Sequence, residues 1–244
     1  MASSLRDSIG PGAPEFLTTR WSVVLAANGE STSAQVALGK LCHAYWYPLY
    51  VYVRRQGEPP HDAQDLTQEF FSRLLAKGWL DGVDRERGRF RSWLLASLKH
   101  FLANEWDKSR AQKRGGGAAL FSIDEVSAEE RLRHEPVDVS AEKLYERRWA
   151  WMLLDQVLAR LRVEMAGAGK LALFEALKFC LTGEKSPYAQ VAGRLRMSEG
   201  AVKVAVHRLR ERYRALLRAE IAETVARPEE IEDELRALLA ALSP

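Results

Sequence analysis

The apolar residues between Ser198 and Arg214 constrain the fold of this chain more than any other feature of its sequence. They recur at intervals of three or four residues, which places them on one face of an α-helix. They are Val202, Val206, Leu209 and Tyr213. A shorter helical stripe lies within residues 186–195, and a three-residue turn, Arg196 to Ser198, joins the two predicted helices. Two helices joined by so short a turn form a helix-turn-helix, a motif that lays its second helix in the major groove of DNA.

The opposite face of the second helix is densely basic. Between Arg194 and Arg218 the chain has 8 Lys and Arg residues against 2 Asp and Glu residues, a local net charge of +6. Such a density suits contacts with DNA phosphates and the release of their counterions. A solvated amphipathic hairpin is the alternative. We predict that Ser198 caps this helix, and Gly200 either permits close approach of the backbone or is neutral.

Helical periodicity dominates the rest of the chain and predicts an all-α fold. We expect two small helical domains, an N-terminal bundle and a C-terminal helix-turn-helix domain, joined by an acidic linker and followed by a C-terminal helical extension. Helices are predicted at 21–27, 33–55, 62–77, 90–112, 142–165, 169–181 and 231–242. Pro48 predicts a kink or a break in the second of these.

The predicted domain boundaries follow changes in composition. Residues 1–17 are a disordered leader, 18–114 the N-terminal domain, 115–141 the linker, 142–218 the helix-turn-helix domain and 219–244 an acidic extension. Residues 85–114 hold nine basic and three acidic residues, whereas 115–142 and 219–244 each hold two basic and seven acidic ones. One acidic segment separates the two basic blocks, and a second acidic segment follows the second block. This alternation indicates two DNA-facing surfaces on one chain.

Several classes of protein are disfavoured by the composition. Two lone cysteines, Cys42 and Cys180, form no disulfide framework and no metal spacing, so we expect a reducing cytoplasm. No run reaches the ~18 apolar residues of a membrane span, so no membrane contact is expected. The five His residues are scattered, and no nucleophile–base pair or phosphate loop is visible. We therefore expect a protein that is not an enzyme and that has no cofactor or metal.

The predicted helix at 62–77 carries an acidic stripe made of Asp62, Asp65 and Glu69, which lie at helical spacing. Such a stripe is either a solvated face or a docking surface for a basic partner protein. A carboxylate metal site is less well supported, because the helix lacks the Glu-x-x-His spacing of such sites.

The predicted helix at 90–112 interleaves basic and aromatic residues. Cations that follow a backbone and rings that stack on unpaired bases are typical of single-strand binding. Packing in the core is the alternative for Trp93 and Trp106. The residues predicted to contact unwound DNA are Arg91, Lys99, His100, Asn104, Trp106, Lys108, Arg110, Lys113 and Arg114.

Three segments in this order resemble the extracytoplasmic-function (ECF) sigma factors of bacterial RNA polymerase. DAQDLTQEFFSRLL resembles the clamp-binding helix of that family, and FRSWLLASLKHFLANEWDKSRAQKR resembles its promoter-melting helix. SPYAQVAGRLRMSEGAVKVAVHRLRER resembles its helix-turn-helix. The match covers about 38–114 and 142–218. It departs at Gln64, where Glu is usual, and at Ala201, Val204 and Ala205, where Thr, Ser and Arg are common.

The resemblance implies a role for each surface. The acidic helix would dock on the polymerase β′ clamp through Asp62, Gln64, Asp65, Gln68, Glu69 and Arg73. The basic and aromatic helix would capture the unwound minus-ten element. The helix-turn-helix would bind the minus-thirty-five element through Ser198, Gly200, Lys203, Val204, His207, Arg208, Arg210 and Arg214.

The partners implied by the resemblance are core RNA polymerase, through its β′ clamp and β flap, and promoter DNA, in a bacterial cytoplasm. An anti-sigma protein or a regulatory kinase would be a further partner, with Thr67 beside the acidic stripe as the phosphorylation site. The charge pattern also suggests that the acidic linker and tail shield the basic surfaces without polymerase. The alternative function is a helix-turn-helix transcriptional regulator that acts without polymerase contacts.

Overall fold

The computed structural model describes residues 32–75, 88–111, 125–181 and 188–243. Within these ranges the chain forms nine α-helices, two short 3-10 helices and no strand, which confirms the all-α expectation for this part of the chain. The helices are α1 (Thr32–Arg55), α2 (Pro60–Leu75), α3 (Phe90–Ala111), α4 (Glu125–Arg133), α5 (Ala141–Gly167), α6 (Leu171–Leu177), α7 (Tyr188–Leu195), α8 (Glu199–Ala222) and α9 (Ile231–Leu242). The 3-10 helices are Lys178–Cys180 and Pro228–Glu230.

Helix α5 is the central element, because it contributes to both clusters of buried apolar residues. The first core consists of buried residues of α1 to α5 together with Ile221 of α8 and Leu238 of α9. The second core consists of Val157 and Leu161 of α5 and the buried apolar residues of α6, α7, α8 and the first 3-10 helix. At 27 residues, α5 is about 40 Å long, which is enough to serve two cores in succession.

The predicted helix bounds agree closely with the observed ones at most positions, with two differences. Helix α1 is continuous across Pro48, so of the predicted kink or break the break is wrong and the kink stays a prediction. Helix α8 continues to Ala222, beyond the expected end of the basic segment, because Leu216 and Ile221 extend its buried face. The predicted helix at 21–27 and the leader 1–17 lie outside the described residues.

Helix α4 occupies part of the segment that we expected to be an irregular linker. Nine residues are too few for a stable isolated helix, so tertiary contacts must hold it. Ala128 is buried in the first core. The carboxylate of Glu129 accepts hydrogen bonds from Tyr50 at 2.5 Å and from the Nε and Nη2 of Arg54 at 2.7 and 2.9 Å. This network fastens α4 to α1.

The C-terminal helix α9 begins and ends at the predicted residues and packs against α5 and α8. Leu238 and Glu234 are buried, and Ile231, Leu235 and Leu242 pack against the first core. The segment expected to be an extension of the fold therefore completes the first core. Residues of α5 and α9 join the same core as residues of α1 to α4. The predicted domain boundaries at 115–141 and at 219 therefore stay predictions.

None of the helices in the described ranges combines the length and the apolar character that a crossing of a lipid bilayer requires.

We predict that Glu129 makes the fold sensitive to acid. The hydrogen bonds from Arg54 hold the pKa of Glu129 below its ordinary value of 4.5, so its ionised form stabilises the native state. That contribution is present above the unfolded pKa and is lost as the pH falls through the lower folded pKa. Glu129→Gln should therefore lower the free energy of unfolding at neutral pH, and the difference from wild type should shrink in acid. Urea titrations across this pH range measure it.

The control is Glu130→Gln, which changes the neighbouring exposed carboxylate in the same way. It should leave the pH dependence of unfolding unchanged. A constant difference between Glu129→Gln and wild type from neutral to acid pH would show that the charge of Glu129 does not stabilise the fold.

Candidate nucleic-acid interface

The turn between α7 and α8 has a defined geometry. Arg196 adopts φ 53°, in the left-handed region that is uncommon for residues other than glycine. The amide of Met197 donates to the carbonyl of Ala192 at 2.9 Å, and that of Arg196 donates to Gly193 at 3.4 Å. This is the hydrogen-bond pattern of a Schellman motif, which ends a helix by satisfying its last carbonyls.

Ser198 begins α8 as predicted. Its backbone is extended, with φ −73° and ψ 153°, and its hydroxyl accepts a hydrogen bond from the amide of Ala201 at 3.2 Å. A capped start fixes the direction in which α8 leaves the turn. The short turn and the cap together set the angle between the two helices.

The apolar stripe of α8 faces the second core, in agreement with the sequence pattern. Val202, Val206 and Leu209 are buried, and Tyr213 is half-buried. The Tyr213 hydroxyl donates to the carbonyl of Leu154 in α5 at 3.4 Å. Burial of this side determines which side of α8 is left for a ligand.

The predicted DNA-contacting residues of α8 lie together on its exposed side. Lys203, Arg208 and Arg214 have no carboxylate partner within the described ranges, so their charges face solvent. His207 pairs with Glu211 of the same helix at 3.2 Å. The full exposed set is Ser198, Gly200, Lys203, Val204, His207, Arg208, Arg210 and Arg214.

Arg210 differs from the other cations of this face. Its Nε and Nη2 donate to the carbonyl of Cys180 at 3.1 and 3.0 Å, which ties α8 to the 3-10 helix Lys178–Cys180. Part of its hydrogen-bonding capacity is therefore used in positioning α8. Val204, by contrast, is half-exposed without a packing partner in either core, and an apolar group of this kind can contact a thymine methyl.

The acidic helix α2 presents only part of the predicted docking set. Asp62 and Asp65 are exposed, Gln64 is half-exposed, and Glu69 and Arg73 bond to each other at 2.9 Å. Arg73 also reaches Glu105 of α3 at 2.9 Å. The remaining member of the docking set, Gln68, is buried.

Two residues of α2 are less accessible than the sequence suggested. Gln68 is buried at 7 % exposure, and Thr67 is buried completely. The Thr67 hydroxyl donates to the carbonyl of Ala63 at 2.7 Å. Thr67 is therefore not accessible to a kinase in this conformation, and control by a regulatory kinase stays a prediction.

Arg91 is the clearest departure from the predicted surface of α3. It was expected to face DNA, yet it is only 3 % exposed. Its Nε donates to Glu146 of α5 at 2.7 Å, its Nη1 donates to Glu234 of α9, and its guanidinium lies 3.9 Å from the ring centre of Trp149. Burial by itself would lower the pKa of Arg91, but the two carboxylates outweigh it and raise that pKa.

The ammonium of Lys99 is also neutralised within the chain. It donates to Glu142 of α5 at 2.8 Å and lies 5.6 Å from the ring centre of Tyr52. The hydrogen bond to Glu142 raises the pKa of Lys99, and the same bond lowers the pKa of Glu142. Because Lys99 is about two-fifths exposed, this pair is screened by solvent and weaker than that of Arg91.

The remaining predicted residues of α3 fall into three groups. His100 and Asn104 are exposed. Trp106 packs partly against the first core and donates through Nε1 to Glu58 at 2.7 Å, and Trp93 packs there beside Phe90. The side chains of Lys108 and Arg110, and all of Lys113 and Arg114, lie outside the described residues.

The residues that the sequence did not identify are the carboxylates that pair with α3. They are Glu58, Glu142, Glu146 and Glu234. The excess of acidic residues in 115–142 and 219–244 gave the sign of the charge for Glu142 and Glu234, whereas Glu58 and Glu146 lie outside these segments. The sequence did not reveal which carboxylate pairs with which residue of α3, because long-range pairing depends on how α5 and α9 pack.

No cluster of three or more His, Cys, Asp or Glu residues in the described ranges is arranged to hold a metal ion. Comparison of the chain with known protein families, with curated proteins and with solved structures gave no match.

We predict that Ser198→Ala destabilises the helix-turn-helix by removing the cap of α8. The expected loss in the free energy of unfolding is about 1 kcal/mol, the usual cost of such a change. Urea titration followed by circular dichroism measures it. Ser198→Asn, which also caps helices, should stay close to wild type. Equal losses in the two variants would mean that the hydroxyl contact does not stabilise α8.

Proposed function

We propose that this protein is a sigma factor of the ECF type, which binds core RNA polymerase and directs promoter recognition and DNA melting in the bacterial cytoplasm. The observation that carries the proposal is the exposed face of α8. A capped second helix presents free cations on one side while its other side is buried in the second core. The acidic helix, the basic and aromatic helix and the helix-turn-helix follow one another in the same order as in the ECF sigma factors that the chain resembles. This order is the reason for including core polymerase in the proposal.

Helix α8 would bind the upstream promoter duplex. Lys203, Arg208 and Arg214 supply phosphate contacts, which give affinity but little sequence information. Base readout would fall to the middle of the helix, where Val204 offers a methyl contact and His207 a hydrogen-bonding ring. Ser198 and Gly200 lie at the helix N-terminus, where backbone amides favour an anionic phosphate.

Helix α2 would dock on the β′ clamp. Asp62 and Asp65 are its most exposed carboxylates, and Glu69 with Arg73 forms a pair at the side of the same stripe. Exposed charges of one sign steer association with a complementary partner more than they add to affinity. Helix α3 would supply His100 and Asn104, and its paired cations once released, to the melted strand.

The proposal includes a division of labour between the two halves of the chain. Residues 18–114 would bind the clamp and the minus-ten element, and 142–218 would bind the minus-thirty-five element. Segment 115–141 would connect them across the polymerase, and the β flap would hold the second half. Tethering raises the effective concentration of the second contact after the first has formed.

A transcriptional regulator that works without polymerase is the second candidate, and the helix-turn-helix supports it equally well. The two differ in what they need. A regulator of this class binds its operator by itself, usually as a dimer with two half-sites, whereas a sigma factor needs core polymerase.

We predict that run-off transcription by core polymerase depends on this protein and on the acidic stripe. Asp62→Lys/Asp65→Lys should reduce the run-off product to background, because two reversed charges replace attraction to the clamp by repulsion. The template is a library of promoter fragments, and polymerase pull-down measures assembly directly.

The matched control is Glu130→Lys, which reverses an exposed charge outside α2. It should support transcription at the wild-type level. Specific duplex binding by a stable dimer, with no transcription from core polymerase, would favour the regulator instead.

We predict that Lys203 contributes one phosphate contact to duplex binding. Lys203→Ala should reduce the slope of log affinity against log salt concentration by about 0.9, the value expected for one phosphate. Fluorescence anisotropy over a series of salt concentrations measures the slope. Lys143→Ala removes an exposed cation from α5 and should leave the slope unchanged. Equal slopes for Lys203→Ala and wild type would place that ammonium away from the DNA.

A further inference from the structure

A buried ion network joins the C-terminal helix α9 to the start of α3. Glu234 of α9 is fully buried, and its two oxygens contact Nη1 of Arg91 and Nε of Arg89, the latter at 2.7 Å. Glu146 of α5 completes the network through Nε of Arg91 at 2.7 Å. Helix α9 thus closes over a residue 143 positions earlier in the chain.

The network pairs Arg91, a cation that the sequence predicts to contact DNA. Arg91 stacks on Trp149 and has both of its carboxylate partners on other helices. While α9 is docked, Glu234 of α9 and Glu146 of α5 hold this guanidinium together. Lys99, two turns further along α3, is held by Glu142 of α5. The start of α3 is therefore covered, whereas the DNA face of α8 is open.

The contact of α9 is partly ionic and partly apolar, because Leu238 is buried and Ile231, Leu235 and Leu242 pack against the first core; its ionic part favours reversible opening. An apolar interface of the same size would lose all of its burial energy on opening. Buried charges regain their hydration when exposed to water, which offsets much of the attraction that is lost. A phosphate or an acidic partner can also replace Glu234 as the counter-ion of Arg91. The ion pairs of α9 are therefore specific in geometry and exchangeable, whereas the burial of its apolar residues opposes opening.

We propose that α9 is an autoinhibitory lock on α3. In the closed state Glu234 holds Arg89 and Arg91 and keeps them from single-stranded DNA. In the open state α9 leaves the first core, so Arg89 is released and Arg91 keeps only Glu146 of α5 as a carboxylate partner, which makes part of its guanidinium available to the melted strand. The target of the lock rests on the proposed function, since that function assigns α3 to unwound DNA.

The test compares Glu234→Gln with wild type in the full chain. The amide cannot balance two guanidinium charges, so α9 should undock more often. Hydrogen exchange of the α9 amides should become faster. Affinity for a fluorescent single-stranded oligonucleotide should rise about tenfold, within the usual range of coupling between sites.

Asp233→Asn is the matched control. It makes the same chemical change one residue earlier, at an exposed carboxylate whose ion pair stays within α9. It should leave both readouts unchanged. Faster exchange in Glu234→Gln without a gain in affinity would overturn the lock, as would unchanged exchange.

Leu238→Ala decides the case if Glu234→Gln does not fold. Leu238 is buried in the first core, so its truncation weakens the docking of α9 without altering any charge. It should give the same gain in single-strand affinity. If neither variant folds, α9 is an integral part of the fold and the lock is wrong.

Run-off transcription with the wild-type chain separates this proposal from the proposed function. A gain in single-strand affinity without transcription would leave the lock standing and remove the sigma assignment. Transcription with the wild-type chain, but no gain in single-strand affinity in the variants, would remove the lock and leave the sigma assignment standing.

Discussion

The arrangement of this protein depends on α5, which has buried residues from Ala141 to Leu161. Its first half supplies Leu144, Tyr145 and Trp149 to the first core, and its second half supplies Val157 and Leu161 to the second. A continuous helix is stiff over about 40 Å, so the two cores keep a fixed spacing in this conformation. Helices α1, α8 and α9 then take their positions from the faces of α5 that they cover.

The same helix explains why charged side chains are found inside the molecule. Arg91 of α3 is buried against α5, where it donates to Glu146, whose side chain is about one-third exposed. Glu234 makes the second contact, and Trp149 provides an aromatic face for the guanidinium. Buried charges are tolerated only when they are paired in this way. The network therefore selects one register between α3, α5 and α9, in addition to what apolar packing selects.

Local features of the fold were predictable from the sequence, and long-range pairing was not. The cap at Ser198, the buried stripe of α8 and the bounds of α9 follow from periodicity and capping chemistry, which act within one or two turns. The burial of Arg91 depends on Glu146 and Glu234, which lie 55 and 143 positions away. Helix α4 was missed for a related reason, since its stability comes from Tyr50 and Arg54 rather than from its own nine residues.

The difference in exposure between the two basic surfaces implies an order of events under the proposed function. The face of α8 is open with α9 docked, so contact with intact upstream duplex requires no rearrangement. Capture of a melted strand by α3 requires that Glu234 first release Arg91. A ligand shifts such an equilibrium only by its different affinity for the two states. Melted DNA binds the open state better, because it contacts α3. Duplex bound to α8 alone has no such preference, so recognition of the duplex would precede melting.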